Sequence, residues 1–422
     1  MCRKYQFFQT IRSIPDQIIS WRPNQKDCLW IQETIWSVIQ SFSTLRDLHI
    51  DIQFLQLSPT FKALTTLETI SIDASACSKT SWLYTSLSKL YASCPTLTSL
   101  AISDGSGHHS LTKENSLDQI FLECSKDVLP GRLCRLCLRG CFVRIDNITL
   151  PHLRQLTSLE LICTQRRYSA GELDYYGGPR DIWSTFIGSG IQLEELVHNT
   201  TTTPLFDYLS SYSGLKKLEL SVSPFADASS SDEAATRFFD DVLSRHLETL
   251  ESLSLEACYE GEWCFTPRNA GLISHCTKLN HLLMGIISDK TPRAFNASLV
   301  VSIFVKLRLS HINFYSSTPR LQKHLLDIVI QLPLMRHLSL VPATPEYERD
   351  CYRCGNGIMN HFRLTKDQIM RDVTIYQPPH SCSYLLEVEV SGNAFKSVRD
   401  AARGHRRHVR FVSDLKNPRI RQ

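Results

Sequence analysis

Short apolar clusters recur along the chain with one internal spacing: an aliphatic residue, two variable residues, a second aliphatic residue, one variable residue and a third aliphatic residue. In an extended backbone the last two aliphatic residues point to one side and the residue between them points to the other. Each cluster therefore predicts a short strand with one buried face. The middle positions, which lie 22 to 50 residues apart, are 48, 70, 100, 136, 159, 196, 218, 253, 282, 307, 338 and 388.

The segments between the clusters carry apolar residues at helical spacing, most clearly at 85–93, 117–128, 233–247 and 321–330. Parallel neighbouring strands need such a return path, since no tight turn can join them. A single cluster and its helix bury too little apolar surface to fold alone, so each repeat must use its neighbours as its core. The pattern predicts an α/β solenoid of about 12 irregular repeats over residues 43–392, with an insertion at 341–384.

Cysteines extend this pattern at particular positions. The clusters beginning at Leu133 and Leu250 both end in a cysteine, Cys141 and Cys258, and read LxxLxLxxC. Two further cysteines, at 94 and 276, lie three residues before the first leucine of the next cluster. In this respect the sequence resembles the cysteine-containing class of leucine-rich repeats, best known from F-box proteins that act as substrate receptors of Skp1-cullin-F-box ubiquitin ligases.

The phrase from Trp36 to Leu48 looks most like the large fungal set of F-box-like leucine-rich-repeat proteins. The resemblance covers about residues 30 to 390. It implies an irregular leucine-rich-repeat solenoid, a horseshoe with a parallel sheet on its concave face and helices on its convex face.

The N-terminal segment departs from that family. An F-box opens with a Leu-Pro-x-Glu-like phrase, and its nearest counterpart here is the compressed phrase from Ile14 to Ile19. Two interpretations of residues 1–42 stay open: a helical N-terminal cap, with two amphipathic helices over 12–42, or a degenerate F-box remnant. We favour the cap.

Composition and charge restrict the function classes. Apolar residues make up 42% of the chain and charged residues 21%, as in a folded globular protein. The longest apolar stretch, residues 299–305, is far short of the roughly 20 residues that span a bilayer. The start of the chain lacks a secretory signal pattern, so we expect a cytoplasmic or nuclear protein with reduced cysteines.

The charge is unevenly placed. Residues 393–422 carry nine lysines and arginines against two aspartates, a local charge of +7, so the other 392 residues sum to −3. Five of these arginines, at 399, 403, 406, 407 and 410, would share one side of a helix. We predict a solvated basic C-terminal tail. Nucleic acid is not an expected partner, because aromatic residues are not interleaved with the charges.

Metal and catalytic chemistry have little support. Cys351, Cys354, His361, His380 and Cys382 fall in the longest interruption of the repeat and offer enough ligands for a zinc ion, but a single CxxC is weak evidence, and we favour ordinary reduced cysteines. No phosphate-cradling loop, nucleophile elbow or HExxH motif occurs. We expect no cofactor and no enzymatic activity.

Binding is expected on the outward positions of the predicted sheet. A basic patch late in the series, centred on Lys306 and Arg308, predicts that an acidic protein segment docks there. Aromatic residues at 166–183 are a second possible anchor, although Trp183 more simply packs into the helix that follows. The candidate binding residues are Arg135, Glu160, Lys217, His281, Lys306, Arg308, Arg336 and His337.

These patterns favour a non-catalytic protein-protein interaction module. The resemblance implies a substrate receptor that binds a Skp1-like adaptor in a Skp1-cullin-F-box ubiquitin ligase. The alternative is a leucine-rich-repeat scaffold or regulatory binding protein unconnected with ubiquitin.

Overall fold

The chain folds as two α/β units, each built on an open and mostly parallel sheet. The first unit comprises residues 1–197 and the second residues 198–422. None of the helices in the described ranges combines the length and apolar character that a membrane span needs. The structure is a computed structural model that describes residues 18–24, 27–56, 60–61, 63–74, 81–104, 117–123, 133–140, 143, 145–162, 182–222, 225, 227–287, 321–344, 355–376, 386–391, 393–399 and 409–413.

In the first unit, strands β1 to β6 pair in chain order, each parallel to the next. Strand β7 follows at the boundary, where the backbone N–H groups of Glu194 and Glu195 both donate to the carbonyl of Thr157. The elements are β1 Ile18–Trp21, α1 Leu29–Gln40, β2 Asp47–Asp51, β3 Thr69–Asp73, α2 Ser81–Ser93, β4 Ser99–Ser103, α3 Leu117–Phe121, β5 Arg135–Arg139, α4 Leu150–Leu153, β6 Ser158–Ile162, α5 Ile182–Ser189 and β7 Glu195–His198.

In the second unit, strands β8 to β12 are parallel in chain order, and β12, β13 and β14 are antiparallel. The elements are α6 Thr203–Ser210, β8 Lys217–Val222, α7 Ala228–Arg237, a π-helical segment Phe238–Leu243, α8 Ser244–His246, β9 Ser252–Ala257, α9 Pro267–His275, β10 His281–Ile286, α10 Leu321–Val329, β11 His337–Pro342, α11 Gly355–Ile375, β12 Glu387–Val390, β13 Asn393–Arg399 and β14 Val409–Ser413.

The strand register confirms the predicted alternation of buried and outward positions. The middle residue of each cluster is the backbone partner of the middle residue of the next, which forms continuous aliphatic rows. Members of these rows are at most 2% exposed. The row of the first unit is Leu48, Ile70, Leu100, Leu136 and Leu159; that of the second is Leu218, Leu253, Leu282, Leu338 and Val388.

One predicted strand does not lie where the order of the repeats would place it. Strand β10 pairs directly with β11 over six residues, from His281 opposite His337 to Ile286 opposite Pro342. The expectation that the cluster around position 307 would form a strand between them is therefore wrong. That cluster itself lies outside the described residues. The spacing that marks a strand says nothing about which strands are neighbours.

Helices occupy the predicted return paths. Segment 85–93 lies within α2, segment 321–330 coincides with α10, and segment 117–128 begins with the short helix α3. Segment 233–247 spans the end of α7, the π-helical segment and α8. In this region the rings of Phe206, Phe238, Phe239 and Trp263 pack with centroids 5.2 to 6.3 Å apart. These aromatic rings anchor the helices of the second unit through apolar burial.

The N-terminal segment is a strand and a helix rather than the expected pair of helices. Strand β1 extends the parallel sheet, with Ile18 opposite Asp47 and Trp21 opposite Ile50. Trp21 stacks on Trp36 of α1 at 6.1 Å, and Trp36 meets the ring of Phe61 edge-on at 5.4 Å. The described part of this segment is thus a further strand-helix unit of the sheet, and residues 1–17 lie outside the described ranges.

A fully buried glutamine ties α1 to the chain that follows β2. The Gln32 amide donates to the carbonyl of Phe54 at 3.0 Å, and its oxygen accepts from the backbone N–H of Gln56 at 2.8 Å. We expect Gln32→Ala to lower the free energy of unfolding by about 2 kcal/mol, because both backbone groups lose their partners in a buried site. Chemical denaturation measures this change. The control is Thr34→Ala at an exposed position of α1, and an equal loss in both variants would contradict the role given to Gln32.

The C-terminal region also differs from expectation. The predicted insertion at 341–384 contains the 21-residue helix α11, which is the return path between β11 and β12. Residues 393–399 and 409–413 of the predicted basic tail form an antiparallel hairpin that extends the sheet from β12. Phe395 is buried in it. A high density of arginines therefore did not prevent strand formation, because strand pairing satisfies the backbone whatever the charge of the side chains.

Candidate binding surfaces

The outward positions of the first sheet form two rows of side chains. Because the strands are parallel and in register, residues at equivalent positions lie side by side, roughly 4.8 Å apart from strand to strand. β2 contributes Asp47 and His49, hydroxyl groups and small side chains dominate the rows on β3 and β4, and charged groups appear again from β5 onward. The rows are Asp47, Thr69, Ser99, Arg135 and Ser158, and His49, Ser71, Ala101, Cys137 and Glu160.

The charged end of this surface consists of matched ion pairs. Arg139 Nε lies 2.5 Å from Glu160 Oε1, and Arg135 Nη2 lies 3.4 Å from Glu195 Oε2. The Ser158 hydroxyl also donates to Glu195 at 2.8 Å. Two candidate residues, Arg135 and Glu160, are thus brought to one place on the sheet, but each has an opposite charge beside it. This end of the surface is electrically balanced.

Cys137 lies between these charges as a protonated thiol. Burial, together with the negative charge and the hydrogen bond of Glu160, raises the pKa of the Cys137 thiol to about 11, and Arg139 offsets only part of this. A thiol with so high a pKa is a poor nucleophile at neutral pH, because the reactive form is the thiolate. Cys137 therefore contributes a small apolar group to the surface.

The outward positions of the second sheet form the corresponding rows. The first row is Lys217, Ser252, His281, His337 and Glu387, and the second is Glu219, Ser254, Leu283, Ser339 and Glu389. The candidates Lys217, His281 and His337 lie in the first row, and Arg336 is exposed at the residue before β11. The next outward position on β9 is Glu256, which accepts a hydrogen bond from the hydroxyl of Ser221 on β8.

Two histidines stack face to face at the centre of this surface. The rings of His281 and His337 have centroids 4.8 Å apart and are inclined by 7°. Their strands are direct backbone partners, which places the two rings opposite each other. The sequence separates them by 56 positions, with a further cluster between them, so only the sheet order reveals their contact.

Carboxylates flank the histidine pair. His337 Nε2 lies 3.6 Å from Glu389 Oε2, and Lys217 Nζ lies 2.9 Å from Glu219 Oε1. Burial lowers the pKa of His281, and the neighbouring charge of His337 acts in the same direction, whereas Glu219 and Glu389 oppose it. His281 is consequently neutral at pH 7.

The expected basic patch is not found among the described residues of this surface. Lys306 and Arg308 lie outside the described ranges. What remains is Lys217 and Arg336 against Glu219, Glu256, Glu387 and Glu389, a formal charge of −2 without the imidazoles. The docking of an acidic segment near Lys306 and Arg308 stays a prediction, and the pattern analysis gave no weight to the glutamates on the neighbouring strands.

The described residues do not form the proposed zinc site. His361 lies on α11, where Nε2 is 3.1 Å from the carbonyl oxygen of Ala343 and 3.6 Å from Glu260 Oε1. Cys351, Cys354, His380 and Cys382 lie outside the described residues. Within the described ranges no three metal-ligating side chains converge.

Glu260 is a buried carboxylate that the sequence did not single out. It is 3% exposed, in the loop after β9, and its backbone N–H donates to the carbonyl of Thr344 at 2.7 Å. Together with His361 it connects this loop to the end of β11 and to α11. An isolated glutamate in a loop gives no periodic signal, so only the tertiary contact identifies it, and its role is structural.

Among the described residues, the aromatic segment 166–183 contributes no binding anchor to the surface. Trp183 is 1% exposed and packs edge-on against Phe186 of the same helix at 6.1 Å. The prediction that this tryptophan packs into the helix is confirmed. Tyr168, Tyr175 and Tyr176 lie outside the described residues.

Comparison with known proteins does not assign a family. No protein-family model matches the chain, and no curated protein matches it.

Proposed function

We propose that this chain is a non-catalytic protein-interaction module of the leucine-rich-repeat type, a solenoid that binds its partners on the concave face of its sheet. The observation that carries the proposal is the register of the strands. One side of each sheet is a set of fully buried aliphatic rows, and the other side is a continuous array of polar and charged residues. Such arrays are recurrent partner sites in repeat proteins.

The chemistry of the array supports recognition. Its members include hydroxyls, matched ion pairs and stacked imidazoles, and the strands hold them at fixed spacing. Side chains on a rigid sheet lose little further entropy when a partner docks, so a set of modest contacts gives specific binding. Cys137, the described cysteine of the first surface, has the raised pKa of an inert thiol.

Site-specific crosslinking tests the proposal. A photo-reactive amino acid is placed at Ala101 in β4, at Ser254 in β9, or at the exposed Glu233 of α7 as a control. We expect each sheet position to yield a reproducible set of crosslinked proteins in repeated cell extracts, and the helix position to yield none of them. If all three positions give indistinguishable products, the sheet face is not the binding surface.

A narrower form of the proposal is a substrate receptor of a Skp1-cullin-F-box ubiquitin ligase. It rests on the resemblance of the cysteine positions, and two of these cysteines, Cys94 and Cys276, are buried beside the turns that precede strands. The alternative is a scaffold or regulatory binder without a ubiquitin connection. Because β1 and α1 belong to the sheet unit, residues 18–40 serve the repeat stack, and only the segment before residue 18 can be removed without removing part of the sheet.

The two forms differ in one measurable property. The receptor predicts co-purification of a Skp1-like protein with the full chain and its loss from a variant that begins at residue 18. This deletion preserves β1 and α1, unlike removal of residues 1–42, which would also remove part of the sheet. Circular dichroism confirms that the shortened chain is folded. If the full chain recovers no Skp1-like protein, the scaffold form is the correct one.

A further inference from the structure

We propose that the sheet surface of the second unit binds an arginine-rich segment of a partner protein, and that protonation of His281, stacked on His337, weakens this binding. The inference rests on the proposed function and names the partner class and the regulation of one of its surfaces. It reverses the charge that the sequence alone assigned to the partner.

The stacked imidazoles of His281 and His337 supply flat aromatic groups on the sheet surface, and this pair is called the platform. His281 and His337 lie ring over ring at 4.8 Å on adjacent strands, and the His337 side chain is 29% exposed. Neighbouring positions are small, with Ser252 and Ser254 on β9. A planar guanidinium group stacks well on such aromatic faces, whereas a carboxylate does not.

Carboxylates lie on both sides of the platform. Glu219 on β8 and Glu389 on β12 belong to the same outward row. Glu219 lies two strands from His281, and Glu389 lies on the strand next to His337. Glu389 approaches His337 Nε2 at 3.6 Å. A guanidinium presents five N–H donors in one plane, so it can stack on an imidazole and donate to a neighbouring carboxylate at once. The combination of rings and carboxylates favours arginine over lysine.

The local charge has the sign that such a partner needs. The groups facing the histidine pair are Lys217 and Glu219 on β8, Glu256 on β9, Arg336 before β11, and Glu387 and Glu389 on β12. Lys217 is already paired with Glu219 at 2.9 Å. The negative charge of the remaining groups attracts a cationic segment and raises its association rate.

Protonation of His281 changes this surface. Burial and the neighbouring imidazole lower the pKa of His281, so the ring is neutral at pH 7 and acquires a proton only in more acidic solution. Once His281 is charged, the formal charge of the four glutamates, Lys217, Arg336 and His281 becomes −1 instead of −2. A charged platform also repels a stacked guanidinium. Binding is therefore expected to fall as the pH falls.

Peptide binding tests the inference on the full-length protein. The probe is a fluorescent peptide of alternating arginine and serine, and its counterpart alternates glutamate and serine. At pH 7.5 we expect the arginine peptide to bind and the glutamate peptide not to bind. The double variant Glu219→Gln with Glu389→Gln should weaken binding of the arginine peptide by about tenfold, since two facing carboxylates lose their charge.

A matched control separates the surface from net charge. Glu233→Gln with Glu248→Gln removes the same charge from α7 and from the turn before β9, at exposed positions outside the sheet surface. We expect this double variant to retain binding within about twofold. Circular dichroism of both double variants verifies that they fold.

The pH response gives a second readout. Lowering the pH from 7.5 to 5.0 should weaken binding of the arginine peptide by about fivefold, because His281, whose pKa lies below the usual value of about 6.5, acquires its proton in acidic solution while most glutamates stay ionised. His281→Asn with His337→Asn should bind more weakly at pH 7.5 and show no step between the two pH values.

Three results would overturn the inference: preference for the glutamate peptide, equal losses in the two glutamine double variants, or binding of the arginine peptide that does not change with pH. None of these bears on crosslinking from Ala101 and Ser254. If that crosslinking persists, the sheet still binds proteins and only the partner class is wrong; if it fails, the proposed function fails independently.

Discussion

Leu253→Ala is expected to lower the free energy of unfolding by about 3 to 4 kcal/mol, the largest loss among the substitutions considered for this protein. Leu253 is 0% exposed at the centre of β9, and its backbone partners are Leu218 in β8 and Leu282 in β10. Removing its side chain leaves a cavity between two neighbouring strands that cannot collapse independently. Urea denaturation followed by circular dichroism measures the change.

The neighbouring residue provides a matched control. Ser254 follows Leu253 in the same strand but points to the outward face. We expect Ser254→Ala to change the free energy of unfolding by less than about 0.5 kcal/mol, because no buried contact is lost. If the two substitutions were equally destabilising, the alternation that supports the stacked-repeat interpretation would be contradicted.

Iodoacetamide at pH 8 is expected to label Cys28 and Cys258 at least about a hundred times faster than Cys264 and Cys276. The first two cysteines are exposed and the last two are fully buried. Burial raises the pKa of both the Cys264 and the Cys276 thiol to about 12. At pH 8 these two thiols are therefore almost entirely protonated, and their sulfur atoms are also shielded from the reagent. Peptide mass spectrometry measures the rates.

Unfolding is the control for this contrast. In concentrated guanidinium chloride the four cysteines should be labelled at similar rates, since burial no longer distinguishes them. Fast labelling of Cys276 in the native protein would show that the turn before β10 opens readily, and would contradict its place in the packed core. The sequence predicts only that the cysteines are reduced; the difference in reactivity follows from their burial.

Prediction from the sequence was most successful where a local pattern is sufficient. The two-residue spacing within each cluster specifies which side chains share a face, and the observed rows agree with it from Leu48 to Val388. Helical spacing between clusters located α2 and α10 for the same reason. Both are properties of neighbouring residues in the chain, and they do not depend on the rest of the fold.

Prediction failed where the answer depends on which elements meet. The pairing of β10 with β11 brings His281 onto His337 and excludes an intervening strand, although a cluster of suitable spacing exists between them in the sequence. In the same way, residues 18–21 join the sheet as β1, and residues of the arginine-rich end form β13 and β14. Strand pairing joins segments that are distant in the chain, so local composition cannot reveal it.

The amino-acid pattern was enough to establish the class of fold and the direction of most side chains in the sheet, because alternation along a strand is a local consequence of backbone geometry. It did not establish the chemistry of the surface. The stacking of the two histidines, the neutral state of His281, the glutamates that flank the pair and the buried Glu260 beside His361 all arise from contacts between separate repeats. Charge and protonation depend on three-dimensional neighbours and on burial, and these exist only once the repeats have stacked.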